Sequence, residues 1–122
     1  MNGKSAVCVS PGPFNRPETE NLGGMFSRTV PEGYSGDDTA VFITDCSTLE
    51  RVGDLKATLE SFPIAVIDHH SSGEQFGDAR YVVPKAAAAT MLIHRLFLER
   101  GIVPDPQTAE YLLFGLATDT GF

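Results

Sequence analysis

Residues 40–70 read AVFITDCSTLERVGDLKATLESFPIAVIDHH. Ala40-Val41-Phe42-Ile43-Thr44-Asp45 is an unbroken β-branched and aromatic run ending in a carboxylate, and Ile64-Ala65-Val66-Ile67-Asp68 is a second one ending the same way. Short apolar runs of these residue types read as strands. Between them, Ser47-Thr48-Leu49-Glu50 has the form of a capping box, in which the Ser oxygen accepts from an early helix amide and the Glu reaches back. Leu49, Val52, Leu55, Leu59 and Phe62 follow at helical spacing. Glu50, Arg51, Asp54, Lys56 and Glu60 take the exposed side, and Phe62-Pro63 ends the helix. Strand, helix, strand in this length is a right-handed βαβ unit. Strands apolar on both faces belong to parallel sheets covered by helices. The expected class is α/β, a parallel sheet with helices on both faces.

Toward the C-terminus, Tyr81-Val82-Val83 reads as a short third strand. Pro84 suits a helix first turn, the Ala-rich stretch from Lys85 to Arg100 continues it with Met91, Leu92, Leu96 and Leu98, and Gly101 is the natural C-cap. Asp105-Pro106 opens another helix, with Ala109, Leu112, Leu113, Leu116 and Ala117 as its apolar residues. Asp119 then falls in a Thr/Gly-rich turn. Toward the N-terminus, Ala6-Val7-Cys8-Val9-Ser10 reads as a buried strand. The Pro and Gly residues from Pro11 to Gly36 resist regular structure and leave a connecting segment, with a helical turn around Thr19–Met25. Residues 1–40 are thus an irregular lead-in, and residues 41–122 the motif-bearing part, of a single domain.

The chain has 122 residues and a formal net charge of −7. No apolar run approaches the ~20 residues that cross a bilayer, and no secretory leader is visible. It reads as cytoplasmic. Cys8 and Cys46 make no disulfide framework and read as small buried apolar residues. The acidic balance argues against duplex nucleic acid. It leaves open a small phosphate substrate held through metal ions.

The charge sits where that chemistry needs it. Asp45 and the triplet Asp68-His69-His70 both lie where an apolar strand ends, and ligands of open α/β sheets bind outside the carboxyl ends of the strands. Neighbouring strands are only about 4.8 Å apart, so a carboxylate and an imidazole there can share a divalent ion. Asp119, among Thr118, Thr120 and Gly121, is a third candidate. Two carboxylates and an imidazole suit Mn²⁺ or Mg²⁺ better than a thiolate zinc site. Each feature alone has a plain structural reading: Asp45 as a helix cap, the histidines as loop residues, Asp119 as part of an ordinary turn. Two of the three at successive strand ends are hard to obtain by accident. His94 and Asp37-Asp38 read as solvated, and Cys46 has no partner in sequence that would make it a nucleophile.

Phe42-Ile43-Thr44-Asp45-Cys46-Ser47, Val66-Ile67-Asp68-His69-His70 and Gly115-Leu116-Ala117-Thr118-Asp119-Thr120-Gly121 together resemble the DHH phosphoesterase superfamily over residues 40–122. The nearest flavour is its oligoribonuclease and pAp-phosphatase-like members, which include exopolyphosphatase-related proteins. The resemblance implies that Asp45 bridges two metal ions, that His69 and Asp119 hold the second, that Asp68 orients the cluster, and that His70 meets the phosphate. It implies manganese, with magnesium or cobalt as substitutes. The reaction implied is two-metal hydrolysis of a phosphodiester or phosphomonoester in a small nucleotide or short oligonucleotide. The family's first motif, a strand ending in His-x-x-x-Asp-x-Asp, and its glycine-rich C-terminal domain have no counterpart in this chain. The chain therefore resembles a partial or shortened member, expected to bind one ion weakly and to turn over poorly or not at all. Rival readings are a non-catalytic metal- or nucleotide-binding or assembly module, an inorganic pyrophosphatase or polyphosphatase, and a receiver-like domain with Asp45 as phosphoacceptor. The last gives His69 and His70 no role. A homo-oligomer is also expected, because the last two helices should expose apolar surface.

Overall fold

Val41–Thr44 (β1), Ile64–Asp68 (β2) and Ala79–Val82 (β3) lie side by side in the order β1-β2-β3, with both pairs parallel. The computed structural model that shows this describes residues 4–121. Val41 stands opposite Ile64 and Ile43 opposite Val66, so the apolar residues of the two strands share one face. Asp78 secures the β2–β3 register from outside the ladder: its Oδ2 accepts from the Ile64 N–H at 2.8 Å, and its own N–H donates to the Ile64 carbonyl at 2.8 Å. Because all three strands are parallel, their carboxyl ends reach one edge of the sheet.

The core on the first face joins Ile43, Ile64 and Val66 to Cys46, Leu49, Leu55 and Leu59. On the other face, the helix Ala89–Glu99 (α2) packs against β2. There Ile67, Ala88, Ala89 and Leu92 are buried, Leu92 being only 1% exposed. The helix Pro106–Thr120 (α3) packs on α2. It buries none of its residues, and Leu113 of α3 and Phe42 of β1 are 65% and 70% exposed. No helix among the described residues is long and apolar enough to cross a membrane.

Several sequence-based expectations change here. The helix expected from Leu49 to Phe62 is a 3₁₀ segment, Leu49–Leu55, followed by a single α-helical turn, Lys56–Leu59 (α1). The break is at Gly53, whose φ of 57° only glycine adopts without a Cβ penalty. The apolar spacing nevertheless selected the right side, since Leu49, Leu55, Leu59 and Phe62 are all buried. The capping box does not form. Thr48 stands at the N-cap without a side-chain bond, the Ser47 carbonyl accepts from the Glu74 N–H at 2.9 Å, and Glu50 pairs with Lys56.

The third strand begins two residues earlier than expected, at Ala79, and α2 begins at Ala89 rather than near Lys85. Residues 6–10 form no strand. Only Val9 bridges to Ser27, and with no further strand to cover it Cys8 is exposed, against the expectation of burial. Cys46 is buried as expected.

Candidate metal centre

Each site residue is placed by a strand end or a helix end. At Asp45, just past β1, the backbone takes φ 56°, a left-handed conformation uncommon outside glycine and tolerated best by Asp and Asn. The Asp45 N–H donates to the Ile67 carbonyl at 3.0 Å, which ties this corner to the end of β2. Burial raises the Asp45 carboxyl above its ordinary value, repulsion from Asp119 adds to this, and His69 and His70 partly offset it.

Asp68, the last residue of β2, is the one buried charged residue among those described, 4% exposed. Its Oδ1 accepts from the His69 N–H at 2.8 Å, the His70 N–H at 3.3 Å and His70 Nδ1 at 2.7 Å. Burial alone would raise this carboxyl; the His70 side chain and the two amides outweigh it and hold it below its ordinary value. The same bond raises His70.

A linked pH dependence follows. Asp68, lowered from 3.8, contributes stability that is present above that pH and lost as pH falls through its folded value. His70, raised from 6.5, contributes stability that is present below that pH and lost as pH rises through its folded value. In metal-free protein, the stability advantage over Asp68→Asn should therefore be greatest between the ordinary values of 3.8 and 6.5 and shrink on either side. Chemical denaturation of both proteins across pH 3–9 checks this, and a pH-independent difference contradicts it.

His69 is the centre of the arrangement. Its Nδ1 lies 3.1 Å from the Ala86 carbonyl. A carbonyl only accepts, so Nδ1 carries a proton. Its Nε2 lies 3.2 Å from Asp45 Oδ1 and 3.3 Å from Asp119 Oδ2. In the neutral ring, Nε2 therefore directs a lone pair at two carboxylates. That geometry is repulsive unless something positive, a proton or a metal ion, lies among the three atoms. A backbone carbonyl that fixes the tautomer of an imidazole is the usual support of a metal-ligating histidine.

Asp119 adds to the same imbalance. Asp105 caps α3, its side chain accepting from the Thr108 N–H at 2.8 Å with Pro106 next in line, as expected. The helix then continues through Thr120 to a left-handed cap at Gly121, so Asp119 lies in the last helical turn rather than in a turn beyond it. A carboxylate at the negative end of a helix dipole costs about 0.3–1 kcal/mol. What brings it to His69 is the crossing of α3 over α2 at Gly115, where a Cβ would fall 2.4 Å from Thr90 Cγ2.

Among the described residues, Asp45, His69 and His70 each offer a ligand atom within 4.8 Å of the others, and Asp119 approaches this group through His69 Nε2. An octahedral ion with bonds of ~2.1 Å sets adjacent donors ~3.0 Å apart, close to the spacings on either side of Nε2. His70 Nδ1 is 3.9 Å from Asp45 Oδ1 and is engaged by Asp68 at 2.7 Å, whereas His69 Nε2 has both Asp45 and Asp119 beside it. Cys46 is no competitor: its thiol donates to the Thr48 carbonyl at 3.0 Å and burial pushes it up. His94 and Asp37-Asp38 are exposed and apart from the site. A cleft of about 120 Å³ opens on Asp45 and Asp119 over Ala89, Thr90 and Gly115. Another of about 200 Å³ is lined by Asp68, His70, Ser71, Glu74 and Arg80 among others. The Ala86 carbonyl was invisible to residue-type reasoning, because the group that matters is backbone.

No protein-family model matches the chain. A probable bifunctional oligoribonuclease and PAP phosphatase of Streptococcus mutans is 32% identical over 88% of this chain and 34% of its own length. The bifunctional oligoribonuclease and PAP phosphatase of Bacillus subtilis is 29% identical over 83% of this chain and 33% of its own. The chain thus spans about a third of the length of these relatives. An exopolyphosphatase-related protein from Bacteroides fragilis shares the fold, with a TM-score of 0.63 at 24% identity over 70% of this chain and 26% of that one.

Proposed function

From the membership of this chain in the DHH phosphoesterase superfamily, we propose that its strand-end site is the metal-holding edge of an enzyme that hydrolyses a phosphodiester or phosphomonoester of a small nucleotide or short oligonucleotide, with manganese as the preferred ion. The observation that carries this reading is His69 Nε2, aimed at the Asp45 and Asp119 carboxylates with its tautomer set by Ala86. Asp45, His69 and Asp119 would hold the ion. When bound, a divalent ion there supplies Lewis-acid polarisation of the phosphoryl oxygens and lowers the pKa of the attacking water. Asp68 accepts from His70 Nδ1 and raises the imidazole above its ordinary value, which favours the form whose Nε2–H donates to a phosphoryl oxygen. The relatives' names, which give an oligoribonuclease and PAP phosphatase activity, support a substrate of nucleotide size. A receiver-like role for Asp45 is disfavoured, because it gives no role to His69 and His70, which stand beside that carboxylate.

The test is hydrolysis by the purified chain with Mn²⁺, offered a nucleoside 3′,5′-bisphosphate, a diribonucleotide and inorganic pyrophosphate in parallel. We expect slow, chelator-sensitive release of phosphate or mononucleotide that Asp119→Asn abolishes. Manganese binding without any turnover would support the non-catalytic binding module instead. Preference for pyrophosphate would support the pyrophosphatase reading.

A further inference from the structure

The cleft that opens on Asp45 and Asp119 has a polar wall to which the metal set gives no part. Thr90, the second residue of α2, lines it together with Gly115 and Thr118 of α3. Among the described residues, Thr90 Oγ1 is the one buried side-chain oxygen or nitrogen without a hydrogen-bond partner. It lies on the side of Thr90 that faces α3, 3.5 Å from where a Cβ on Gly115 would stand. Folded proteins leave few hydroxyls in this state, because each forfeits its hydration and gains nothing in return. A threonine in a helix often returns its hydroxyl to the carbonyl four residues back. Here that carbonyl belongs to Ala86, which precedes α2 and meets His69 Nδ1 instead.

The same cleft has the opposite deficit in its carboxylates. Burial raises the Asp45 carboxyl, and repulsion from Asp119 adds to it. Carboxylates only accept hydrogen bonds, and the Thr90 hydroxyl has one to give. The Thr118 hydroxyl is already committed, donating to the Gly115 carbonyl at 3.1 Å. One water molecule meets both needs, since it accepts from Thr90 and has two hydrogens to donate to the carboxylates. A water requires roughly 10–15 Å³ and two to four polar partners. The cleft offers about 120 Å³ and three partners in Thr90, Asp45 and Asp119.

We propose that Thr90 is a positioning residue of the metal edge: through an ordered water in this cleft, its hydroxyl steadies the Asp45 and Asp119 carboxylates where they face His69 Nε2. The proposal rests on the cation-site reading and deepens it, by adding a residue that touches neither ion nor substrate. The bridge forms in the metal-free protein too, where repulsion between the two carboxylates is greatest.

Two variants separate the hydroxyl from the methyl. Thr90→Val keeps the shape and the methyl that meets Gly115 but loses the hydroxyl, whereas Thr90→Ser keeps the hydroxyl and loses the methyl. In calorimetric titration with Mn²⁺, Thr90→Val should bind about tenfold more weakly than the wild type, the low end of the range for groups that support a metal ligand. Thr90→Ser should stay within about twofold. Chemical denaturation in chelator supplies a readout that needs no ion. There the folding equilibrium constant of Thr90→Val should fall about fivefold, the worth of one hydrogen bond. A hydroxyl with no partner at all predicts the reverse, a gain in stability when valine removes it, and that result overturns the bridge. Wild-type manganese affinity in Thr90→Val, or an equal loss in both variants, overturns the positioning role by leaving the hydroxyl idle or assigning the effect to the methyl. If the wild type itself binds no manganese, the cation-site reading fails, and the measurements in chelator still decide the bridge by their sign.

Discussion

His69→Ala is expected to abolish manganese binding, and Asp45→Asn is expected to do the same while leaving the metal-free protein as stable as before or more so. The wild type should gain about 2.7 kcal/mol at an ion concentration 100 times its dissociation constant, because the ion binds only the folded chain. That corresponds to a rise in melting temperature on the order of 10 °C for a domain of this size. Neither variant should show it. The second half of the prediction follows from the electrostatics of the empty edge. Burial and Asp119 both disfavour the charged form of Asp45, so neutralising it removes a cost. Its left-handed backbone is tolerated by Asn as well as by Asp. A residue kept for stability would show the opposite sign. Thermal melts of the three proteins with chelator and with excess Mn²⁺ give four informative comparisons. A metal-free Asp45→Asn that melts well below the wild type would identify Asp45 as a structural cap and remove the main support for a cation site.

How far the sequence led depends on which physical signal each element carries. β1 and β2 were legible because both are continuous apolar runs, although only β2 is covered on both faces and Phe42 of β1 stays exposed; the register puts Ile43 and Val66 together as those runs imply. Asp45 and Asp68 were legible as a pair because parallel pairing needs no more than strand order to bring their ends to one edge. The segment from Leu49 to Phe62 was legible in its buried side but not in its helix type. Gly53 breaks it, and the residues that should have formed its cap are drawn into contacts distant in sequence, Ser47 to Glu74 above all. The start of α2 was placed too early because Ala-rich sequence favours helix locally. In the fold, residues 84–88 instead pass over the end of β2, where the Ala86 carbonyl meets His69.

Asp119 was assigned to a turn for a comparable reason. Thr and Gly lower helix propensity, but Thr118 and Thr120 turn their hydroxyls back onto the Gly115 and Leu116 carbonyls at 3.1 and 2.8 Å and remain helical. The helix end matters for function, because one further turn of α3 carries the carboxylate to the imidazole. What residue types alone do not encode is the distance of approach between α2 and α3, and that distance rests on a single missing methyl group.

Gly115→Ala should therefore weaken the site although it lies on no ligand. Local propensity argues for stabilisation, since Ala is better than Gly inside a helix by about 1 kcal/mol. Packing argues against it: the new Cβ would lie 2.4 Å from Thr90 Cγ2, an impossible contact, and the β-branched Thr90 is stiff about χ1. Overpacking of this kind costs about 1–3 kcal/mol, so the net effect should be destabilising or close to neutral. Metal affinity is the more sensitive readout. If α3 moves outward to relieve the contact, Asp119 leaves the 3.3 Å position it holds beside His69 Nε2. The loss should reach about 10–100-fold, the range seen when a residue that supports a metal ligand is altered. Thr90→Ser removes the clashing methyl and retains the hydroxyl, which is buried without a partner. The double variant should then recover most of the manganese affinity that Gly115→Ala loses, a coupling that a double-mutant cycle reads directly. If Thr90→Ser gives no recovery, or if Gly115→Ala binds the ion as well as the wild type, the close crossing of α2 and α3 is not what positions Asp119.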